Sequence, residues 1–157
     1  MLLWILLNVT AWADELHGTV TKVSDGDTIT VEDSSAESHK IRLAQIDAPE
    51  KKQDFGSVAR VELASLILGK EVEVQYTKVD RYGRVLGQVY LDQLDVNYWL
   101  VSKGYAWVYL DYPHTVEYMK AQADAHDNKR GLWSDKAPLA PWVWRKIAKN
   151  QAKVEAE

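Results

Sequence analysis

The chain has 157 residues, no cysteine and a formal net charge of −4. A chain of this length can fold as one domain and bury enough surface to need neither disulfides nor a structural metal. The absence of cysteine excludes disulfides, thiolate nucleophiles and zinc–thiolate sites, and the negative charge argues against a generic binder of polyanions.

The N-terminal segment has the composition of a signal peptide. Residues 1–13 carry no charge, and the triplet that ends at Ala13 matches the small-x-small pattern of a signal-peptidase site. The segment lacks the usual basic n-region, and a buried N-terminal strand is the alternative interpretation. We expect cleavage near Ala13 and export to a periplasm or the exterior, with no membrane association of the mature form.

Strands are predicted where apolar and polar residues alternate. The sequence SDGD between the first two such stretches is typical of a hairpin turn. On the third stretch, Arg42 is expected on the face opposite to Ile41 and Leu43, because side chains alternate along a strand. The predicted strands are residues 16–23, 28–33, 39–46, 71–78 and 85–91.

Helices are predicted from apolar spacing and from capping residues. Residues 55–68 place apolar side chains at helical spacing, with Gly69 at the expected end. Asp95 is suited to cap a short helix to Lys103, and Thr115 a longer one to Arg130. The C-terminal PWVWR segment and the charged residues 147–157 have little periodicity, and this tail is predicted to fray.

The order of these elements predicts the fold class. Five short strands with a helix after the third, followed by more helices, are typical of a small closed barrel. We therefore expect an α+β fold, mainly β: a five-stranded Greek-key barrel of the OB type with about three helices. The domain is predicted to span residues 14–146, without a second domain.

Three carboxylates are candidates for a metal site. A hairpin turn and the exit of the neighbouring strand can lie side by side, which would bring Asp27, Asp47 and Glu50 toward one point. Crowded carboxylates repel unless a hard cation lies among them, and Ca²⁺ takes oxygen ligands. Taken separately, DGDT and DAPE are also ordinary turn sequences, so plain turns are the alternative.

Two arginines supply the opposite charge. Arg42 lies on the third predicted strand and Arg84 closes the DRYGR turn. Guanidinium groups bind phosphate oxygens bidentately and can neutralise charge that develops at phosphorus. The alternative is that each arginine forms a salt bridge with the same acids.

The C-terminal quarter is basic. From Lys129 onward, lysine and arginine outnumber the acids. This composition is compatible with a solvated helix face or with a second nucleic-acid contact beyond PWVWRK.

Several motifs in one order resemble the staphylococcal nuclease (thermonuclease) family. They are VSDGDTITV, IRLAQIDAPE, DRYGRVLGQVY, VNYWLVSKGYAWVY and GLW, and they extend from about His17 to Trp133. The resemblance implies an OB-fold barrel and a Ca²⁺-dependent phosphodiesterase. Such an enzyme cleaves DNA and RNA at the 5′ P–O bond and leaves 3′-phosphate ends. We expect a monomer without a stable protein partner.

The resemblance also implies a role for individual residues. Asp27 and Asp47 match the calcium carboxylates, and Ala48 would contribute its backbone carbonyl, so that its side chain should matter little. Glu50 matches the general base toward water. The remaining matches are Arg42 and Arg84 for the phosphate, and Tyr82 and Tyr112 for stacking on a nucleotide base.

The sequence departs from the family pattern in places. The loop after Glu50 is shorter than its counterpart in the secreted staphylococcal enzyme, and Leu110 stands where a pocket tyrosine is expected. A non-catalytic nucleic-acid-binding barrel is the competing function, because OB folds also bind without cutting. The full set of acids and arginines favours the enzyme.

Overall fold

Alternating apolar and polar residues form the strands of a mixed fold. The computed structural model describes residues 14–154, so the predicted signal peptide lies outside the described residues. The strands are β1 (Asp14–Asp25), β2 (Thr28–Asp33), β3 (Ser38–Leu43), β4 (Ile46–Asp47), β5 (Glu71–Val79), β6 (Val85–Leu91), β7 (Leu94–Asp95) and β8 (Trp107–Val108). The helices are α1 (Gly56–Ile67), α2 (Val96–Ser102), α3 (Val116–Asp127) and α4 (Pro141–Val154), with a 3-10 helix at Gly131–Ser134.

Five strands close into a barrel. Antiparallel pairing gives the order β3-β2-β1-β5-β6, and a parallel pairing of β3 with β6 joins the two ends. The apolar face of each strand points inward, as strand alternation requires. The predicted OB-type barrel is therefore confirmed. Fully buried interior residues include Val20, Ile29, Ile41, Val74 and Val89.

The third strand is shorter than the sequence predicts. β3 ends at Leu43, and the chain turns through Gln45, whose φ is 67°. The buried Asn97 side chain donates a hydrogen bond to the Ala44 carbonyl at 3.0 Å, and the Tyr109 amide donates to the Gln45 carbonyl at 2.8 Å. The prediction of one strand through Ile46 is wrong because these partners, distant in sequence, stabilise a bend that redirects residues 46–47 to pair with β8.

The first three helices begin and end close to their predicted bounds, although the Thr115 side chain makes no capping hydrogen bond to α3. α1 buries its apolar stripe under the barrel, with Ala59, Leu63 and Ile67 fully buried. The Asp95 carboxylate caps α2 by accepting a hydrogen bond from the Tyr98 amide at 2.9 Å. α3 ends at Asp127 rather than at Arg130, and the chain then forms the 3-10 helix.

The C-terminal segment differs from its prediction. Residues 141–154 form the helix α4, whereas the sequence predicts a frayed tail from residue 147. The Trp142 side chain of α4 packs against Trp107 and Tyr109, with 5.7 Å between the ring centroids in each pair. These contacts hold α4 against β8. Within residues 14–154, no helix combines the length and apolar character that a membrane span requires.

Candidate active site

One cleft, with a volume of about 560 Å³, is lined by every residue that was predicted from the sequence to be functional. The β1–β2 turn, the end of β3, the segment after β4, the β5–β6 turn, the chain after β8 and α4 all contribute to it. A cleft with charged groups of both signs and aromatic walls can bind a charged ligand that carries flat rings. The selected residues in its lining are Asp27, Arg42, Asp47, Ala48, Glu50, Tyr82, Arg84 and Tyr112.

The β1–β2 turn places Asp27 at the inner end of the cleft. Asp27 is 6% exposed, and its Oδ2 accepts a hydrogen bond from the Ala48 amide at 2.7 Å. The close approach depends on Gly26, because a Cβ there would lie 2.7 Å from the Ala48 Cβ and 2.8 Å from that of Ala59. Ala48 itself is 4% exposed and belongs to the core. The expectation that its side chain matters little is therefore wrong.

Arg42 bridges the two buried aspartates. Its Nη1 lies 3.1 Å from Asp27 Oδ2, and its Nη2 lies 2.9 Å from Asp47 Oδ1. Nη1 also donates to the carbonyls of Leu43 and Ile46, each at 3.1 Å. The bend after β3 creates this arrangement, because it turns Asp47 back toward the strand that carries Arg42. Salt bridges with the predicted metal carboxylates are thus present for this arginine.

Arg84 has a different partner. Its Nε donates to Asp80 Oδ2 at 2.8 Å, and Asp80 Oδ1 accepts from the amides of Tyr82 and Arg84 at 2.8 and 3.0 Å. Asp80, the first residue of the DRYGR turn, therefore holds Arg84 in place. Asp27 and Asp47 do not contact it. The guanidinium remains in the cleft lining, where it can meet an anion.

Aromatic rings form the outer wall of the cleft. Tyr82 is 67% exposed, with the Arg81 guanidinium carbon 4.9 Å from its ring centroid. Tyr112 is 43% exposed, and the Lys78 ammonium lies 5.5 Å from its ring centroid. The Tyr109 ring lies beside the Tyr112 ring, tilted by 51°, with 5.0 Å between the centroids. Exposed rings next to cations are suited to stacking on nucleotide bases without reading their sequence.

The Glu50 segment is fixed by α1 and its preceding turn. The Glu50 amide donates to Gln53 Oε1 at 3.1 Å, and the Glu50 carbonyl accepts from the Gln53 amide at 2.8 Å. Gly56 permits this packing, because a Cβ there would lie only 1.9 Å from the Glu50 carbonyl oxygen. The backbone thus holds Glu50 beside Asp47 at the cleft.

A third arginine, Arg145 of α4, contacts the acids from the opposite side. Its Nη2 lies 2.8 Å from Asp47 Oδ2, and its Nη1 lies 2.7 Å from Glu50 Oε1. Nη1 also donates to Asp47 Oδ1 at 3.2 Å. The hydrogen bonds that Arg145 donates to Asp47 and Glu50 raise the pKa of Arg145 above its usual range, so its charge is permanent.

Arg145 and Tyr109 also line the cleft, although neither is among the site residues predicted from the sequence. A signal for α4 exists, since the good helix formers Arg145, Lys146, Ala148 and Lys149 follow Pro141 within about two turns, and proline is favoured at the first position of a helix. For Tyr109 the signal is its place in AWVY, directly before Leu110, where the family pattern has a tyrosine. Leu110 itself is 55% exposed and lies outside the cleft lining.

The charge state of Asp27 makes stability depend on pH. Burial raises the pKa of Asp27 to about 7 in the metal-free protein, although the nearby Arg42 guanidinium acts in the opposite direction. Between pH 3.8, the ordinary pKa of the group, and about pH 7, Asp27 is therefore protonated in the folded protein. In the unfolded chain the same carboxyl is ionised in this range. In this window the free energy of unfolding falls as the pH rises.

We expect this fall in a chelator-containing buffer, measured by urea unfolding at a series of pH values. The matched variant Asp27→Asn lacks the titrating group. The free energy of unfolding of wild type should therefore fall relative to that of the variant as the pH rises through this window. Parallel stability profiles for the two proteins would contradict the assignment.

The cleft offers the donor atoms that calcium prefers. The carboxylates of Asp27, Asp47 and Glu50 and the carbonyl of Ala48 are all oxygen ligands, and the two aspartates are buried, so the set fits the cation by type. In this structure their negative charges are balanced by Arg42 and Arg145. Binding a divalent cation would require Arg145, which is 40% exposed, to share or release Asp47.

A different acidic group is packed more tightly. Within residues 14–154, the set of three potential ligands whose donor atoms all lie within 4.8 Å is Asp33, Glu37 and His39. Its contacts are accounted for by the β2–β3 loop: Asp33 Oδ1 accepts from the amides of Ser35 and Glu37, and Oδ2 contacts His39 Nε2 at 2.8 Å. The contacts within this group therefore stabilise the β2–β3 loop.

Comparisons with known proteins identify the family. A family profile described as staphylococcal nuclease homologue matches residues 40–135. An uncharacterized endonuclease of Escherichia coli is 50% identical over 132 residues, covering 83% of this chain and 86% of its own. The micrococcal nuclease of Shigella flexneri is 41% identical over 157 residues, covering 93% and 89%. With a family profile that matches more than half of the chain and relatives that are similar over most of their length, the chain belongs to the staphylococcal nuclease family.

Proposed function

We propose that the protein is a calcium-dependent endonuclease that hydrolyses phosphodiester bonds in both DNA and RNA and leaves 3′-phosphate ends. The observation that carries the proposal is the meeting of Asp27, Asp47 and Glu50 with Arg42 and Arg84 in one cleft. A binding module has no chemical need for buried carboxylates beside the phosphate-binding arginines. Membership in a nuclease family supports the reaction class, and the oxygen-only donor set supports the choice of calcium.

The proposed reaction uses the protein groups in separate roles. The guanidinium groups of Arg42 and Arg84 donate hydrogen bonds to the phosphate oxygens and balance the charge that builds up on them. The Glu50 carboxylate accepts a proton from the attacking water. When bound by Asp27, Asp47 and the Ala48 carbonyl, calcium would add electrostatic stabilisation of the phosphoryl oxygen. Tyr82 and Tyr112 support the neighbouring bases by stacking, which is compatible with both sugars.

Incubation of purified protein with single-stranded DNA and with RNA tests the activity. We expect cleavage of both substrates with Ca²⁺ and none with a chelator, and end-group analysis should find 3′-phosphates. Intact substrate under every calcium condition would refute the enzyme proposal. Binding of the same uncut substrates would then favour the non-catalytic OB-fold module.

Arg84→Ala is predicted to act on turnover more than on binding. The arginine is held in the turn by Asp80, so its role lies in balancing transition-state charge rather than in attracting the strand. Loss of one such donor typically costs about 10²- to 10³-fold in kcat, and we expect the Kd for an oligonucleotide to change less than about threefold. Single-turnover rates and fluorescence anisotropy measure the two quantities.

Arg60→Ala provides the control for this variant, since it removes the same charge from α1, outside the cleft lining. We expect Arg60→Ala to retain most of the turnover. A weaker affinity with normal turnover in Arg84→Ala would make Arg84 a binding residue only.

Export after cleavage near Ala13 remains a prediction, because it depends on residues outside the described part of the chain. Mass spectrometry of the protein recovered from its natural compartment would identify the mature N-terminus, which we expect at Asp14.

A further inference from the structure

We propose that α4 is a nucleic-acid-binding element that extends the cleft. Three of its cations, Arg145, Lys149 and Lys153, form a cationic ridge that would bind successive phosphates of the substrate strand beyond the cleavage point. This inference rests on the proposed function, because it assigns the ridge to the same nucleic-acid substrate.

The composition of α4 is the first observation. The helix has 14 residues with four basic side chains and no aspartate or glutamate, although the whole chain carries a formal net charge of −4. Lys146, Lys149 and Lys153 are all exposed. A solvated helix face usually mixes both signs of charge and gains stability from pairs of opposite charge one turn apart. The absence of acids here favours an anionic partner outside the chain.

The spacing is the second observation. Residues four positions apart lie on the same face of a helix and are separated by about 6 Å along its axis. Arg145, Lys149 and Lys153 stand at this interval twice in succession. The separation is close to the distance between neighbouring phosphates of an extended single strand, so one cation can meet each phosphate.

The connection to the cleft is the third observation. Arg145 lies in the cleft lining and contacts Asp47 and Glu50, so the ridge begins beside the proposed reaction centre. Trp142 holds this end of α4 against Trp107 and Tyr109. A strand bound at Tyr109 and the arginines can therefore continue along the exposed lysines of α4 without crossing an acidic surface of that helix.

An anionic lipid surface is the competing partner. Val143 is 38% and Ile147 43% exposed beside the lysines, and a helix with basic and apolar faces can lie on a membrane. The position of Arg145 inside the cleft favours nucleic acid, because a lipid surface would have no reason to begin at a group of buried carboxylates.

The double variant Lys149→Ala/Lys153→Ala tests the ridge in the full chain. We expect the Kd for an oligonucleotide of about 20 nucleotides, measured by anisotropy in chelator, to rise about 5- to 20-fold at low salt. The slope of log K against log salt should decrease by about 1.4, since each phosphate contact on a single strand contributes about 0.7. Cleavage of a dinucleotide with Ca²⁺ should stay within about twofold of wild type, because this substrate is too short to reach the lysines.

The control is Lys22→Ala/Lys40→Ala, which removes two exposed lysines from β1 and β3 outside the cleft. Equal affinity and equal salt slope in the two double variants would contradict the proposal that the ridge binds the substrate strand. The same is true if the α4 variant binds the oligonucleotide normally but no longer sediments with phosphatidylserine vesicles that bind wild type. If oligonucleotide binding depends on the ridge while neither the oligonucleotide nor the dinucleotide is cleaved with Ca²⁺, the ridge stands and the proposed nuclease function fails.

Discussion

Glu50→Gln is expected to slow phosphodiester cleavage by about 10²- to 10⁴-fold, the usual contribution of a positioned general base. Glutamine has nearly the same shape and keeps an oxygen that can accept the hydrogen bond from Arg145, but it cannot take a proton from water. Binding should therefore persist while the chemical step fails. Single-turnover cleavage with Ca²⁺ measures the rate without interference from product release, and anisotropy measures the affinity.

The matched control is Glu32→Gln, which neutralises an exposed glutamate on β2 outside the cleft lining. It should cleave at the wild-type rate. Unchanged single-turnover cleavage in Glu50→Gln would remove Glu50 from the mechanism and leave water activation to another group. A parallel loss of affinity would assign it a role in holding substrate or metal.

Arg42→Ala is expected to damage both stability and turnover. Arg42 is 16% exposed and is in contact with two carboxylates whose exposed fractions are 8% and 2%. Removing one partner of a buried ion pair typically costs about 3–5 kcal/mol, because the remaining charge stays buried without compensation. Loss of the phosphate contact should also lower single-turnover cleavage by about 10²- to 10³-fold. Urea unfolding in chelator measures the stability term separately.

A second substitution distinguishes the electrostatic cause from simple loss of packing. At alkaline pH, where Asp27 is ionised, Asp27→Asn removes one uncompensated charge from the Arg42→Ala protein and should recover part of the lost stability, whereas independent effects would add. Arg60→Ala on α1 controls for removal of an arginine elsewhere, and we expect it to be close to wild type. An Arg42→Ala protein as stable as wild type would contradict the inferred cost of the unpaired carboxylates.

Local patterns were sufficient to predict most of the barrel. Alternation of apolar residues marks β2, β5 and β6 because one face of each strand is buried, and the stripe on α1 follows from the helical period. The cleft residues could be selected because strand ends and turns are the places where polar side chains gather. The motif order then added the family, which the individual turns could not have specified.

The errors arise where distant parts of the chain decide the local structure. In IRLAQID the apolar positions change face between Leu43 and Ile46, which is the one local sign of the bend; Asn97 and Tyr109 stabilise the bend from far along the sequence. The partner of Arg84 is local, at Asp80, but several acids were equally plausible before the turn geometry was known. The position of α4 across the cleft depends on Trp142 meeting Trp107 and Tyr109, and no periodicity contains that information.

Arg145 lies far along the chain from the carboxylates that it contacts, and this separation affects the order in which the site is completed during synthesis. Arg42 precedes Asp47 by only five residues, whereas Arg145 follows it by 98. Chains leave the ribosome from the N-terminus, so a nascent chain contains Asp27, Arg42, Asp47 and Glu50 long before α4 exists. The carboxylates therefore have one guanidinium close in sequence from the beginning and receive the other only after 98 further residues have been made, which leaves an interval in which a divalent cation can bind the acids before Arg145 does.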